Sequence, residues 1–269
     1  MNISENMYEA ATRYRKEQGQ RRYLGMSGIG GWCSRKIWYG FRGYQPKEIE
    51  GRTQMIFSLG SAVEAEVIKW LRGAGYQVDG QQDEFTALNG FFRGHCDGII
   101  HGVEEQPMIL EIKSASAART KAFKTSGIPA NSSEYYAQVQ CYMGYSGLRK
   151  AVWVVMNKDT CEIYTELCEY NEEDFKKIET KAQNIISANT VPDRMCEQPG
   201  RECGWCDYYG HCWNSPYIQS VHTCGTCINC KFNGLMPVCL KYNKEIKHWG
   251  ACCDAWEFID TAPIDEVPF

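Results

Sequence analysis

The sequence predicts an α/β chain that ends in a Cys-rich metal-binding module. Residues 56–72 carry apolar side chains at helical spacing (Leu59, Val63, Val67, Trp70 and Leu71). Residues 76–113 break instead into short strand-like pieces, with turn signals at Asn89-Gly90 and around Gly102. From Pro192 the texture changes to Cys, Gly, Trp and Tyr with little periodicity, and ten of the fifteen cysteines fall between Cys196 and Cys253.

In chain order, the first twenty residues read as a polar, partly helical lead-in. The helix over 56–72 is ended by Gly73 and Gly75. After the strands of 76–113, residues 133–146 return to helical periodicity. The apolar run Ala151–Met156 reads as a strand, and another spans Cys161–Glu169. A long helix follows over 171–189, capped by Asn171, with acidic residues in its first turn facing the positive end of the helix dipole. The Cys-rich stretch is too poor in periodic apolar residues to bury a core, so it needs staples. Residues 260–269 are short, acidic and proline-containing, a composition that favours disorder.

Composition excludes several classes. The chain has 269 residues, 43% hydrophobic and 23% charged, ordinary for a globular protein. No run of about 18 apolar residues suggests a membrane span, and the N-terminus lacks a secretory pattern, so a cytoplasmic protein is expected. The net charge of −4 argues against a protein that coats nucleic acid by bulk electrostatics. Local basic clusters at Arg21 and Arg22, at Arg35 and Lys36, and at Arg119, Lys121 and Lys124 remain available for a groove or a solvated face.

Two segments carry the chemistry. The first is Gly94-His-Cys-Asp97-Gly; the second is Met108-Ile-Leu-Glu111-Ile-Lys113. Alternation along a strand puts Ile109, Glu111 and Lys113 on one face and Met108, Leu110 and Ile112 on the other. A carboxylate and an ammonium thus stand side by side on an otherwise apolar strand, and Asp97, beside a glycine turn, could meet them. Asp97 and Glu111 offer hard oxygen donors for Mg²⁺ or Mn²⁺, which would polarise a phosphodiester and acidify a water. Lys113 could orient that water and offset charge on the phosphate.

The pattern Gly-x-x-Asp-Gly followed by Glu-Ile-Lys resembles the RecB-like branch of the PD-(D/E)XK nucleases. That branch also has a Glu or His four residues after a glycine on the helix before the sheet, which Gly60-Ser-Ala-Val-Glu64 fits, with Glu66 as the competing residue. It has a Gln-x-x-x-Tyr motif on the helix after the lysine, matched by Gln138-Val-Gln-Cys-Tyr142. The resemblance covers roughly residues 20–215 and implies a restriction-endonuclease-like core, a central mixed sheet flanked by helices. It implies Asp97, Glu111, Lys113, Glu64, Gln138 and Tyr142 as catalytic residues, and places Glu64, Asp97, Glu111 and Ile112 at the metal. His95 reads as a groove or core residue.

Cys203-x2-Cys206-x5-Cys212, with the distant Cys33, suits a zinc site or an iron–sulfur cluster equally on spacing. One Cys before the core and three after it resembles the CRISPR-associated RecB-like exonucleases and AddB-type subunits. That resemblance implies a four-iron, four-sulfur cluster held by Cys33, Cys203, Cys206 and Cys212. Such a cluster would close a loop of about 170 residues and clamp the two ends of the core together. The rival set makes Cys33 a buried thiol and Cys196 the fourth ligand. A second set, Cys227, Cys230, Cys239 and Cys253, suits a small zinc knuckle closed by Trp256, with Cys224 or Cys252 as substitutes.

The sequence thus divides into a nuclease-like unit over 1–215, a zinc-knuckle-like module over 216–258 and an acidic tail over 259–269. The tail ends Ile264-Asp-Glu-Val-Pro-Phe269 and resembles the acidic tip of bacterial single-stranded-DNA-binding proteins, which would make tip-binding repair proteins candidate partners beside DNA. The expected activity is a metal-dependent DNA nuclease, an exonuclease acting on ends in phage or bacterial recombination, repair or replication. The alternatives are a non-catalytic DNA-binding adaptor on the same fold and a nuclease of the CRISPR-adaptation type. Oligomeric state is open.

Overall fold

A computed structural model describes residues 2–19, 21–214, 222–247, 249 and 253–259. The tip at Pro268-Phe269, and Cys252, lie outside the described residues.

The helices are α1 (Ile3–Glu17), α2 (Ser34–Arg42), α3 (Gly51–Gly73), α4 (Ala117–Ser126), α5 (Ile128–Asn131), α6 (Ser133–Ser146), α7 (Glu172–Ser187) and α8 (Tyr209–Trp213). The strands are β1 (Leu24–Gly25), β2 (Gln77–Asp79), β3 (Glu84–Ala87), β4 (Phe92–His95), β5 (Gly98–His101), β6 (Met108–Ala115), β7 (Lys150–Asn157), β8 (Ile163–Glu169), β9 (Cys230–Asn233), β10 (Met236–Cys239) and β11 (Lys244–Glu245). No helix among them is long and apolar enough to cross a membrane.

Five strands form the central sheet in the order β2-β5-β6-β7-β8. β6 and β7 run parallel, while every other neighbouring pair in this sheet is antiparallel. The parallel pair needs a crossover, and α4, α5 and α6 supply it. Because β6 and β7 are covered on both faces, they are near-continuous apolar runs. One face packs Met108, Leu110, Ile112, Val152 and Val154 against Val63, Val67 and Ile68 of α3. The other sets Ile109, Ala151, Trp153 and Val155 in the larger cluster with Val139 and Met143 of α6 and Ile185 and Ile186 of α7. The alternation expected for β6 is the one observed.

Local chemistry explains the helix ends. Asn171 Oδ1 accepts from the Asp174 amide at 3.0 Å, capping α7 ahead of three acidic residues. Ser132 Oγ accepts from the Tyr135 amide to start α6, which stops at Gly147 in the left-handed region.

Three features differ from the expectation. α3 begins at Gly51 and buries Val63, Val67 and Ile68, leaving Leu59 and Trp70 exposed. The apolar stripe is wider than the sheet it covers, so its outer edge meets solvent. α2 and α4 were not legible, because α2 is crowded with aromatic residues and α4 is a short polar crossover helix. The Cys-rich segment forms its own antiparallel sheet, β11-β10-β9. Its Phe232, Ile246 and Trp249 join the same hydrophobic cluster as Trp38 and Phe41 of α2, so the segment is sealed onto the main core.

Trp153 lies on β7 with no exposed surface. Trp153→Ala is expected to remove about 3–5 kcal/mol of stability. Urea unfolding followed by far-UV circular dichroism checks this, and a loss under about 1 kcal/mol would contradict the central place given to β7.

Candidate active site

The acidic motif meets where β5 ends its pairing with β6. The ladder runs from Ile100↔Met108 to Gly98↔Leu110. One step further the chain turns away, and Asp97 Oδ2 takes over by accepting from the Ile112 amide at 2.6 Å. A carboxylate therefore continues the ladder that the strand abandons, which fixes Asp97 against β6. A charge-assisted bond of this kind is among the stronger ones. Ile112 contributes this amide, while its side chain faces α3.

Glu111 is 1% exposed. Its Oε1 accepts from Lys113 Nζ, while Oε2 is buried with no hydrogen-bond partner among the described residues. Burial pushes the Glu111 carboxyl up from its ordinary range, against the pull of Lys113. Burial, with the charge of Glu111 beside it, pushes the Asp97 carboxyl up to about 8. Burial alone would depress Lys113, yet Glu111 holds its ammonium above the usual value. Lys113 Nζ also donates to Gln138 Oε1 at 3.2 Å and lies 4.8 Å from the centre of the Tyr135 ring.

α6 supplies the rest of the support. Gln138 Nε2 donates to the Tyr142 hydroxyl at 2.9 Å, and that hydroxyl donates to the His95 carbonyl at 2.7 Å. The i, i+4 pair thus links Lys113 to the strand that leads into Asp97. Gly94 makes the approach possible, since a Cβ there would stand 2.7 Å from Tyr142 Cε1 and 2.9 Å from Met26 Cβ. Gly98 is similarly confined by Val78. Both glycines of the motif are therefore there for space.

Glu64 projects from α3 toward the same place and adds repulsion to both Asp97 and Glu111, while accepting from Gln82 Nε2 at 2.9 Å. Glu66 is turned outward and pairs with Lys69. The carboxylates of Glu64, Asp97 and Glu111 thus repel one another, with one ammonium to balance them, and Glu111 Oε2 is left orphaned among the described residues. Hard oxygen donors with excess negative charge suit a divalent cation such as Mg²⁺ or Mn²⁺.

Sequence reasoning missed Tyr135 as a neighbour of Lys113, and named Arg119 only within a basic cluster. Tyr135 flanks Lys113, and the guanidinium of Arg119 of α4 lies 5.2 Å from the centre of that ring, bringing a second cation to the rim. The signal available for Tyr135 was its position one helical turn before Gln138. The other basic clusters divide. Arg35 is buried and bonds the Pro192 carbonyl and the Tyr39 hydroxyl, Lys36 pairs with Asp207, and Lys124 pairs with Glu162. Arg22 donates to the Trp249 carbonyl but also lines an open cleft with Arg15, Lys16, Arg21 and Lys47. His95 pairs with Glu84 at 3.2 Å, a rim contact away from the carboxylates.

The first cysteine set gathers in one small cavity. Cys33, at the N-cap of α2, shares it with Cys196, Cys203, Cys206 and Cys212. Cys33 interacts electrostatically with Cys196, Cys206 and Cys212, and the Cys196 and Cys203 sulfurs are 3.8 Å apart. Both proposed fourth ligands are therefore present, one more thiol than a four-thiolate centre uses. The donor set fits a soft metal centre. Among the described residues, no three His, Cys, Asp or Glu side chains already stand around a common point at ligand distances.

No family profile and no curated protein matches the chain. Among solved structures it is similar to SSO0001, at a TM-score of 0.46 and 16% identity over 78% of this chain and 95% of that one. It is also similar to an alkaline exonuclease, LHK-Exo, from Laribacter hongkongensis, at 0.42 and 16% over 67% and 90%. A phage-related exonuclease from Haemophilus somnus 129PT scores 0.34 at 15% identity over 46% and 66%.

Two predictions follow from the geometry. Gly94→Ala is expected to displace Tyr142 and cost about 1–3 kcal/mol; a denaturation midpoint equal to wild type would show that the close approach is relaxed at no cost. The second concerns pH. Asp97 has a folded-state pKa of about 8, raised above its unfolded value, so the folded state binds the proton more tightly. Its stabilising contribution is complete below about pH 4 and is lost as pH rises toward about 8. Protein stripped with chelator should lose stability across that window, and Asp97→Asn should flatten the loss. Identical pH profiles for the two proteins would disprove the assignment.

Proposed function

We propose that the chain is a nuclease that hydrolyses phosphodiesters in DNA with the help of Mg²⁺ or Mn²⁺. The observation that carries this reading is the electrostatic coupling of Asp97 and Glu64 to the buried Glu111–Lys113 pair, with one Glu111 oxygen buried and unpartnered among the described residues. A structural ion pair needs one carboxylate, and further carboxylates beside it only add repulsion. That arrangement is costly unless a cation or a phosphate-bearing substrate makes use of it.

In this reading Asp97, Glu111 and Glu64 hold the ion, which when bound polarises the phosphate and acidifies a water. Asp97 is oriented by the Ile112 amide through Oδ2, which leaves Oδ1 to ligate the ion. Lys113 keeps its proton beside Glu111, which lets it donate to a phosphate oxygen as charge builds there. Gln138 holds Lys113 from the α6 side and is itself held by Tyr142. These two act as positioning residues. Arg119 stands at the rim, where a cation would meet the next phosphate along the strand.

The expected substrate is DNA with free ends, and the expected role is end processing in recombination, repair or replication. Cys33, Cys203, Cys206 and Cys212 are proposed to carry a four-iron, four-sulfur cluster that fastens α2 to α8 and the segment before it. Cys196 stands beside them as the alternative ligand. This group would contribute stability and not hydrolysis.

Labelled linear single- and double-stranded DNA, incubated with Mg²⁺ or Mn²⁺, tests the reading. Wild type should shorten the substrate from its ends, while Asp97→Ala and Lys113→Ala should each lose at least about 100-fold in rate. Cleavage equal in wild type and the double variant would remove the enzyme assignment. For the cluster, anaerobically purified protein should be brown and contain iron, and Cys206→Ser should lose both; iron-free wild type would overturn it.

A further inference from the structure

The Cys-rich segment contains a second cavity, lined by Cys224, Cys227, Cys230, Cys239, Cys253 and Trp256. Two successive tight turns create it. The Cys227 amide donates to the Cys224 carbonyl at 3.2 Å, and the Cys230 amide to the Cys227 carbonyl at 3.0 Å. Cys230 opens β9 and faces Cys239, its register partner at the end of β10. The chain returns through a bond from the Ile228 amide to the Glu257 carbonyl and a bridge between Cys227 and Phe258, which brings Cys253 to the same opening.

An independent feature points into this cluster. Arg42, the last residue of α2, is fully buried. Its Nε donates to the Gly225 carbonyl at 2.6 Å and its Nη2 to the Cys230 carbonyl at 3.3 Å. Nη1 has no hydrogen-bond partner among the described residues, and none of their carboxylates is within ion-pair distance of the guanidinium. Trp38 and Phe232 wall it in at 5.4 and 5.6 Å. A guanidinium stays charged at any physiological pH, and burying it without an anion is strongly unfavourable. The groups able to carry negative charge that act on it electrostatically are Cys230, Tyr44 and Cys227. Neutral thiols would not supply it, and neither would disulfides. Four thiolates on a divalent ion leave two units of negative charge, next to a fully buried cation that no carboxylate of the described residues pairs with.

We propose that this cavity is a zinc site built from Cys227, Cys230 and Cys239 with Cys224 or Cys253 as the fourth thiolate, and that Arg42 balances its charge. The metal centre thereby fastens the C-terminal segment to α2. Cys227 and Cys230 are buried and Cys224 and Cys239 half-buried, so the ion would sit away from solvent with only the Cys253 side open, as suits a structural centre. Metal binding and docking of the segment are then coupled, since the carbonyls that Arg42 bonds, those of Gly225 and Cys230, belong to the turn and strand that carry the ligands. This reading is independent of the nuclease assignment, and each can fail alone.

Zinc content of the full-length chain, with the zinc K-edge spectrum, tests it. Wild type should carry one zinc equivalent that Cys230→Ser and Cys239→Ser lack and Cys33→Ser keeps. Its scattering shell should contain sulfur alone at about 2.3 Å. The double variant Cys224→Ser, Cys253→Ser should lose the same equivalent. Arg42→Met should release that zinc to chelator about tenfold faster, a difference of about 1.4 kcal/mol, with Arg42→Lys closer to wild type. Wild type without zinc, nitrogen or oxygen in the shell, or retention in the double variant would overturn the site. Unchanged release from Arg42→Met would overturn the charge balance. If the cysteine variants fail to fold, the wild-type stoichiometry and spectrum still decide.

Discussion

Glu111 and Lys113 form an ion pair on a strand buried on both faces, at the middle of a five-stranded sheet. Two charges in such a place are favourable only when their remaining donors and acceptors are satisfied, and much of the surrounding structure supplies those partners. Gln138 and Tyr142 are presented by α6, Asp97 is fixed by the Ile112 amide, and Gly94 leaves room for the tyrosine ring. The one atom left over is Glu111 Oε2, and it lies beside two further carboxylates. The satisfied part of the network sets the geometry; the unsatisfied part is the one the proposed chemistry would use.

The parallel pairing of β6 with β7 has a related consequence. It requires a crossover, and the crossover ends in α6, the helix that carries Tyr135, Gln138 and Tyr142. Hydrophobic packing of Val139 and Met143 against the core holds this helix in place. The apolar and polar residues of α6 thus do separate things at fixed helical offsets. A helix rotated by one residue would lose both.

At the other end of the molecule the same electrostatic rule operates with the sign reversed. Arg42 is a buried cation waiting for an anion, as Glu111 is a buried anion with more negative charge around it than Lys113 can balance. In each case the residual charge is what makes a metal ion chemically sensible. The two sites differ in donor chemistry, with hard carboxylate oxygens at one and soft thiols at the other. Trp249 and Phe232 join the second region to the core through Phe41, so the two ends share one hydrophobic cluster.

Periodicity and motif spacing by themselves determined most of the central architecture: α3, α6 and α7, the strands from β2 to β8, and the residues that now stand around Glu111. These features rest on local chemistry, since alternation along β6 and the i, i+4 offset of Gln138 and Tyr142 act over a few residues. Only the tertiary structure decided between Glu64 and Glu66 as the side chain facing the carboxylates, because that depends on the rotation of α3 against the sheet. Only it placed Leu59 and Trp70 in solvent, revealed Arg35 as an internal strut, and brought Tyr135 and Arg119 to the rim. The Cys-rich segment was legible as a cluster of thiols but not as a sheet joined to α2 by Arg42. That junction pairs residues more than 180 positions apart, and no local pattern encodes which distant carbonyl a buried guanidinium will find.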